Sequence, residues 1–226
     1  MSSVGQQTVV NERALAGWEI VSIACSLAIA EWITFAFAGA SKAIGAVPVI
    51  LALALMVLSH RLRNEGLRDL GFRLDNFVNA VRLLILPMLL VLGICLLLAR
   101  WFHSPVDFFR WHPGSFLAVQ LALGFAWGLA QQYVLQGFIN RRAQVYCGRG
   151  WLSIALVAAI FSALHLPNPV LAAATFVGGL IWAAVYQRVP NLFALAASHC
   201  LMTWVLVATY PPAVLQHLRI GFRYFG

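Results

Sequence analysis

Residues 83–98 have the sequence LLILPMLLVLGICLLL, a continuous apolar run without a charged side chain. Apolar and polar residues do not alternate in it, whereas the strands of a transmembrane barrel alternate with a period of two. Similar runs recur along the chain, and an apolar segment of about 20 residues crosses a bilayer as a helix. The pattern predicts an all-α, polytopic helical membrane protein.

The composition points to the same fold class. Of 226 residues, 62% are hydrophobic and 10% are charged, and the mean hydropathy is +0.85. Soluble domains carry about 25% charged residues. This excludes a soluble enzyme, a disordered chain and a coiled coil. Seven helices of about 20 residues would use about 140 residues, which leaves short loops and no second domain.

The apolar runs divide the chain into three parts. We predict a cytoplasmic N-terminal segment over 1–16, one transmembrane domain over 17–210 and a tail over 211–226. The seven spans predicted in the domain cover 17–40, 43–58, 83–98, 115–139, 151–166, 170–186 and 191–210. Between the second and third spans, the Arg-rich segment 61–82 has the composition of a membrane-surface segment.

The net charge is +8, and the basic residues that produce it lie between the apolar runs. With seven spans, ten of the fifteen Lys and Arg residues fall on one side: Arg13, Arg61, Arg63, Arg68, Arg73, Arg82, Arg141, Arg142, Arg149 and Arg188. The positive-inside rule puts that side and the N-terminus in the cytoplasm. We predict a protein of the bacterial inner membrane and no nucleic-acid partner, since the basic residues set topology and meet anionic lipid.

A few polar residues lie inside or at the ends of the spans, where an ionisable group costs roughly 2.5–3.5 kcal/mol. They are Glu31, Gln131, Gln132, Gln136, His165 and His199. Two histidines on different helices beside a glutamine cluster indicate a shared polar site. We expect Gln131, Gln132, His165 and His199 to line one cavity that opens between helices, with the imidazoles within about 12 Å of each other.

Three short motifs carry these residues: QQYVLQG (131–137), FSALH (161–165) and HCLMT (199–203). Their order resembles the CPBP family, which contains type II CAAX prenyl endopeptidases and bacteriocin-processing (ABI) proteins. The motifs of that family are EExxxR, FxxxH and HxxxN or HxxxD. The resemblance covers about 61–205.

The resemblance implies an intramembrane endopeptidase that acts on membrane-associated peptides, either prenylated or leader-bearing. In the family, the first Glu and the FxxxH His activate water, and the third motif stabilises the oxyanion. Carried over, the candidate catalytic residues are Gln131, Gln132, His165, His199 and Thr203. Gln136 and Phe161 take substrate-binding or packing positions.

The first motif departs from the family because all three of its polar positions are Gln. A Gln amide cannot take a proton from water near pH 7, whereas a carboxylate can. The replacement of both Glu and of Arg by Gln is electrostatically consistent, since a site without a buried Arg needs no buried carboxylate to balance its charge. Two functions follow as alternatives: a protease with an altered catalytic apparatus, and a pseudoprotease that binds a membrane-anchored peptide without cutting it. A third is a b-type haem protein with His165 and His199 as axial ligands.

The sequence contains no complete set of ligands for a cofactor, and zinc is the weak candidate. Cys25, Cys95, Cys147 and Cys200 have no metal-binding or disulfide spacing. Zinc usually takes three or four protein ligands, and the motifs offer His165 and His199. The expected partners are the lipid bilayer and a membrane-anchored or prenylated peptide, and the oligomeric state stays open.

Glu31 lies near the middle of the first span, where a carboxylate is costly. Residues 108–226 contain no Asp or Glu, so any carboxylate chemistry must come from the first half of the chain. Glu31 is either protonated and bonded to a neighbouring helix, or it reaches the His165–His199 cavity and replaces the lost carboxylate. We prefer the first interpretation, because the base of the family comes from the fourth span.

The charge asymmetry makes the topology testable. Single cysteines introduced at Ser3 and Asn64 should both react with a labelling reagent from the cytoplasmic side. Labelling from the outside alone would contradict the predicted layout.

Overall fold

The computed structural model describes residues 3–34, 36, 42–110 and 117–226, and within these ranges it contains helices and no strand. The α-helices are α1 (Ser3–Ala28), α2 (Lys42–Leu62), α3 (Phe77–Trp101), α4 (Leu117–Gln132), α5 (Arg141–Cys147), α6 (Trp151–Ala163), α7 (Pro169–Arg188) and α8 (Leu192–Thr209). Two π-helical segments, Ile29–Thr34 and Tyr133–Asn140, follow α1 and α4. Short 3-10 helices cover Gln216–Leu218 and Gly221–Phe225. The predicted all-α polytopic fold is confirmed.

Four described helical segments are long and apolar enough to cross a membrane: Asn11–Thr34, Phe77–Trp101, Pro169–Arg188 and Leu192–Thr209. Two shorter apolar helices, Ala46–Leu62 and Trp151–Ala163, accompany them. Each of the seven predicted spans is helical over most or all of its described residues, and the number of membrane crossings stays a prediction. The end of the first predicted span, 37–40, and the start of the fourth lie outside the described residues.

Two boundaries differ from the sequence prediction. The first helix begins at Ser3, inside the predicted N-terminal segment, because that stretch contains no proline to stop it. The third begins at Phe77, so the end of the predicted surface segment is helical. Arg82 does not interrupt this helix because its side chain is exposed and its long stem can carry the charge away from the apolar surface.

Asparagine caps fix the starts of α7 and of α8, the helix that carries the third motif. The Asn168 side chain accepts a hydrogen bond from the Leu171 amide at 3.1 Å, and Pro169 opens α7. The Asn191 side chain accepts one from the Ala194 amide at 2.8 Å at the start of α8. Asn at the N-cap and Pro in the first turn are strong helix-start signals. Both asparagines are fully buried, so these starts are anchored inside the protein.

A buried ionic cluster joins α1, the end of α2, the following loop and α5. At its centre is Arg142, whose side chain is 1% exposed. The Arg142 guanidinium pairs with the Glu19 carboxylate at 3.1 Å and donates to the Glu65 carboxylate at 2.7 Å. It also donates to the Ser59 hydroxyl at 2.9 Å. The cluster therefore holds the first helix against the part of the chain that follows α4.

Further donors surround the Glu65 carboxylate. Arg141 donates to it at 2.7 Å and His60 Nδ1 lies 2.7 Å from it. Burial acts to raise the pKa of the Glu65 carboxyl, but the hydrogen bonds from His60, Arg142 and Arg141 outweigh burial and hold this pKa well below its usual range. Glu65 therefore stabilises the fold in its ionised form. That contribution is complete above the unfolded pKa of about 4.3 and is lost as the pH falls toward the lowered folded pKa.

Removing the central cation should unfold the protein far more easily than removing an exposed one. We expect Arg142→Met to lower the free energy of unfolding by about 3–5 kcal/mol, because it removes the buried cation shared by the Glu19 and Glu65 carboxylates. Arg82→Met removes an exposed arginine and should change it by about 0.5 kcal/mol or less. Thermal unfolding in detergent at pH 7 compares the two. Equal stabilities would contradict the role assigned to Arg142.

Candidate functional site

A cavity of about 1390 Å³ lies between α3, α4, α7, α8 and the tail. Most of its wall is apolar and comes from all of these elements, including Met88, Leu98, Trp127, Ile181, Met202 and Val214. Polar side chains from the sequence motifs also reach the wall, namely Gln131, His165 and Thr203. The cavity therefore combines a large apolar volume with a small number of polar groups, as ligand sites commonly do.

His165 lies in the turn that follows α6, and its imidazole has a defined orientation. Its Nδ1 is 2.8 Å from the Phe161 carbonyl oxygen. Because a carbonyl oxygen can only accept, Nδ1 carries the proton, and the Nε2 of the neutral ring is left as an acceptor. The FxxxH spacing produces this bond, since residues four apart lie one turn apart on a helix.

His199 lies behind the cavity wall and not on it. Gln132 Nε2 is 3.2 Å from His199 Nδ1, and both side chains are buried. The Trp182 ring, which faces the cavity, stacks on the His199 imidazole with centroids 4.6 Å apart. The expectation that all four motif residues line the cavity is therefore wrong for Gln132 and His199, which are buried behind the wall, and Trp182 covers His199.

The two imidazoles nevertheless lie close together. The Phe161 ring packs edge-on against both, with centroid distances of 4.8 Å to His165 and 6.0 Å to His199. Their sum, 10.8 Å, is an upper limit on the separation of the two imidazole centroids. This lies within the expected 12 Å. The structure thus brings the second and third motifs together through Phe161, and the catalytic roles of these residues stay predictions.

Glycine permits the contact between the first and third motifs. A Cβ atom added to Gly128 would lie 3.1 Å from the Ala196 carbonyl oxygen and 3.5 Å from His199 Cβ. Helix α4 can therefore approach α8 closely enough for Gln132 to reach His199. A second close approach joins α6 and α7, where Gly179 meets Ala158. At both crossings small residues let the helices pack closely.

The remaining motif residues separate into two groups. Gln131 and Thr203 face the cavity, and the Thr203 hydroxyl donates to the His199 carbonyl oxygen at 3.0 Å. Gln136 is fully buried away from it and accepts a hydrogen bond from Asn140 at 2.7 Å. Asn140 in turn accepts one from Gln187 at 3.1 Å. Of the two roles predicted for Gln136, the geometry fits packing within a neutral amide network.

Three amide atoms of the first motif have no hydrogen-bond partner among the described residues: Gln131 Oε1, Gln132 Oε1 and Gln136 Nε2. Buried polar atoms are nearly always paired with protein or with ordered water. Gln131 Oε1 belongs to a side chain on the cavity wall. The side chain of Gln131 thus reaches the cavity, while its Oε1 atom is buried and has no partner among the described residues.

Glu31 lines the same cavity as Gln131 and His165. It lies in the π-helical segment that follows α1, and this segment packs against the 3-10 helix of the tail. This position agrees with the second sequence interpretation, in which Glu31 reaches the cavity, and the preferred interpretation of a protonated Glu31 bonded to a neighbouring helix stays a prediction. The tail folds back toward α7, because the Asn168 side-chain amide donates to the Leu215 and Arg219 carbonyl oxygens. The tail therefore contacts Glu31 beside the cavity.

The donors near the cavity do not make a complete zinc site. Among the residues that the structure describes, no group of three or more His, Cys, Asp or Glu side chains could hold a metal ion. His165 and His199 offer two ligands at most, and zinc usually takes three or four. The four cysteines are free. The bis-His haem site stays a prediction that a Soret band in the purified protein would test.

The three motifs fall in one stretch of the chain, and that stretch matches a protein family. Residues 113–205 match the model described as type II CAAX prenyl endopeptidase Rce1-like. We refer to residues 113–205 as the Rce1-like domain. The match confirms the resemblance to the CPBP family and, at family level, supports an intramembrane endopeptidase in an integral membrane protein. Neither the curated proteins nor the solved structures contain a match to the chain.

Sequence reasoning missed two features around the Rce1-like domain. Trp182 covers His199, and its indole N–H donates to the Ser198 hydroxyl at 2.9 Å. A tryptophan in the middle of a span was an available signal, because its N–H needs a partner there. The pairing of Arg142 with Glu19 and Glu65 had no local signal, since these residues are far apart in sequence.

The close crossing of α4 and α8 should depend on Gly128. We expect Gly128→Val to lower the free energy of unfolding by about 1–3 kcal/mol, because the added methyl groups force the two helices apart. Gly93→Val is the matched control, since a Cβ at Gly93 meets nothing within 4 Å. Thermal unfolding in detergent measures both. The interpretation fails if the two variants lose the same stability.

Proposed function

We propose that this protein is an intramembrane endopeptidase that cuts membrane-anchored peptides, either prenylated or leader-bearing, in the cavity beside His165. The observation that carries the proposal is the orientation of His165. Its Nδ1 proton is committed to the Phe161 carbonyl, so Nε2 is free to hydrogen-bond the water that attacks a peptide bond. A base held in one tautomer by a backbone bond is a recurrent arrangement in hydrolysis.

Hydrogen-bond donors close to His165 suit the charge that develops on a cleaved amide. The side-chain NH2 group of Gln131, on the cavity wall, offers such donors. Groups of this kind stabilise a tetrahedral intermediate when they are fixed before the reaction. The hydrogen-bonded pair of Gln132 and His199 lies behind the wall, and we assign it to positioning. The Thr203 hydroxyl is engaged with the His199 carbonyl, and we assign it to positioning that helix turn.

The size and lining of the cavity suit a substrate with an apolar anchor. Ligand pockets commonly measure about 300–1,000 Å³, and this cavity is larger at about 1390 Å³. Its apolar wall can bury a lipid chain or an apolar peptide segment while the scissile bond lies at His165. We further propose that the protein resides in a bacterial inner membrane with its N-terminus in the cytoplasm, because of its arginine asymmetry.

A second function is favoured by the first motif. The Gln131 amide can hydrogen-bond a peptide but cannot accept a proton near pH 7. A protein with this motif can hold a membrane-anchored peptide without cutting it. Binding of the test peptide without any cleavage by the wild type would favour this pseudoprotease.

Substitution of His165 separates chemistry from packing. Asn at this position places a side-chain N–H close to where Nδ1 lies, so it can keep the bond to the Phe161 carbonyl while it removes Nε2. We expect His165→Asn to lower kcat for a fluorogenic peptide carrying a farnesylated cysteine by about 10²–10⁴-fold, the usual contribution of an acid–base group. The thermal midpoint should change little.

Leu201→Ala serves as the control, because it removes an exposed apolar side chain at a position of the third motif that has no predicted catalytic role. It should retain cleavage close to that of the wild type. Full activity of His165→Asn would contradict the proposed role of the imidazole. A wild type that cuts neither the farnesylated peptide nor a leader-bearing peptide would contradict the endopeptidase itself.

A further inference from the structure

Glu31 is the one carboxylate on the cavity wall. All seven Asp and Glu residues of the chain lie in the described ranges, and the cavity lining contains Glu31 alone among them. The others are engaged or remote. Glu19 and Glu65 belong to the Arg142 cluster. Glu12, Asp69, Asp75 and Asp107 lie at exposed positions.

A backbone bridge holds Glu31 near His165. A Cβ atom on Gly221 would lie 2.5 Å from the Glu31 carbonyl oxygen, so the tail packs directly against this residue. The Gly221 amide donates to the Leu166 carbonyl oxygen at 2.9 Å. With standard bond lengths, these links put the carbonyl oxygens of Glu31 and Leu166 within about 8 Å of each other. Leu166 is the residue that follows His165.

Glu31 and the first motif both lie in or next to a π-helical segment. Glu31 lies in one π-helical segment, and Gln131 and Gln132 directly precede the other, Tyr133–Asn140. A π-helical turn re-aims side chains and is frequent at functional sites. Arg223 of the tail also lines the cavity.

We propose that Glu31 supplies the carboxylate of the hydrolytic site and does so from the first helix, in place of the position occupied by Gln131. This inference rests on the proposed endopeptidase function. Glu31 takes a proton from water as the water oxygen bonds to the scissile carbonyl carbon, while His165 Nε2 positions the same water. The C–N bond then breaks, and the proton on Glu31 passes to the leaving nitrogen. The products are a carboxylic acid and an amine, and the Glu31 carboxylate is regenerated.

The proposal predicts a specific pattern of loss and rescue. With the fluorogenic farnesylated peptide, Glu31→Gln should lower kcat by about 10²–10⁴-fold and leave KM nearly unchanged, since the amide keeps the shape but not the basicity. The double variant Glu31→Gln, Gln131→Glu should have a kcat at least tenfold above that of Glu31→Gln, because Gln131→Glu returns a carboxylate to the same cavity. Glu12→Gln removes an exposed carboxylate from the same helix and should cleave like the wild type.

The outcomes distinguish this proposal from the function on which it rests. Wild-type cleavage that survives Glu31→Gln but is lost in His165→Asn overturns the role of Glu31 and leaves the endopeptidase intact. The role of Glu31 is also overturned if Glu31→Gln lowers both kcat and the thermal midpoint and Gln131→Glu does not restore kcat. A wild type that is silent toward farnesylated and leader-bearing peptides overturns both.

Discussion

The arrangement of the helices depends on the ion pairs between the buried Arg142 guanidinium and the Glu19 and Glu65 carboxylates. A buried charge is tolerated when it is paired, and removing one partner costs several kcal/mol. Arg142 meets this requirement with Glu19 from the first helix and Glu65 from the loop after the second. The pairing fixes the first helix against the Rce1-like domain. Because Glu31 lies at the other end of that helix, the same contact determines where this carboxylate can reach.

The hydrogen-bond network around Gln136 is neutral by contrast. Gln136, Asn140, Gln187 and Ser153 form a chain of buried hydrogen bonds between uncharged groups. The pair formed by Gln132 and His199 extends the same principle toward the cavity. A neutral network avoids the desolvation cost of an ion pair. The family motif has carboxylates where this network has amides, so the proposed mechanism takes its acid–base groups from His165 and Glu31.

The tail contributes to the site although it lies beyond the residues that match the family. Asn168 caps α7 with its side-chain oxygen and binds the carbonyl oxygens of Leu215 and Arg219 with its amide group. One buried asparagine thus starts a helix and holds the tail. Gly221 then lies between the backbone of Glu31 and that of Leu166. The first helix, the tail and the second motif meet at this point, and none of these contacts is local in sequence.

The sequence by itself determined the membrane class, the helical fold and the motifs. Each of these follows from local properties: uninterrupted apolar runs, N-cap asparagines, and spacings of four residues that become one helical turn. The π-helical segments, the tryptophan that covers His199 and the entry of Glu31 into the cavity were decided by the tertiary structure. They depend on pairings such as Arg142 with Glu19, between residues far apart in the chain. A buried charge selects its partner by proximity in the folded protein, and no sequence period encodes that proximity.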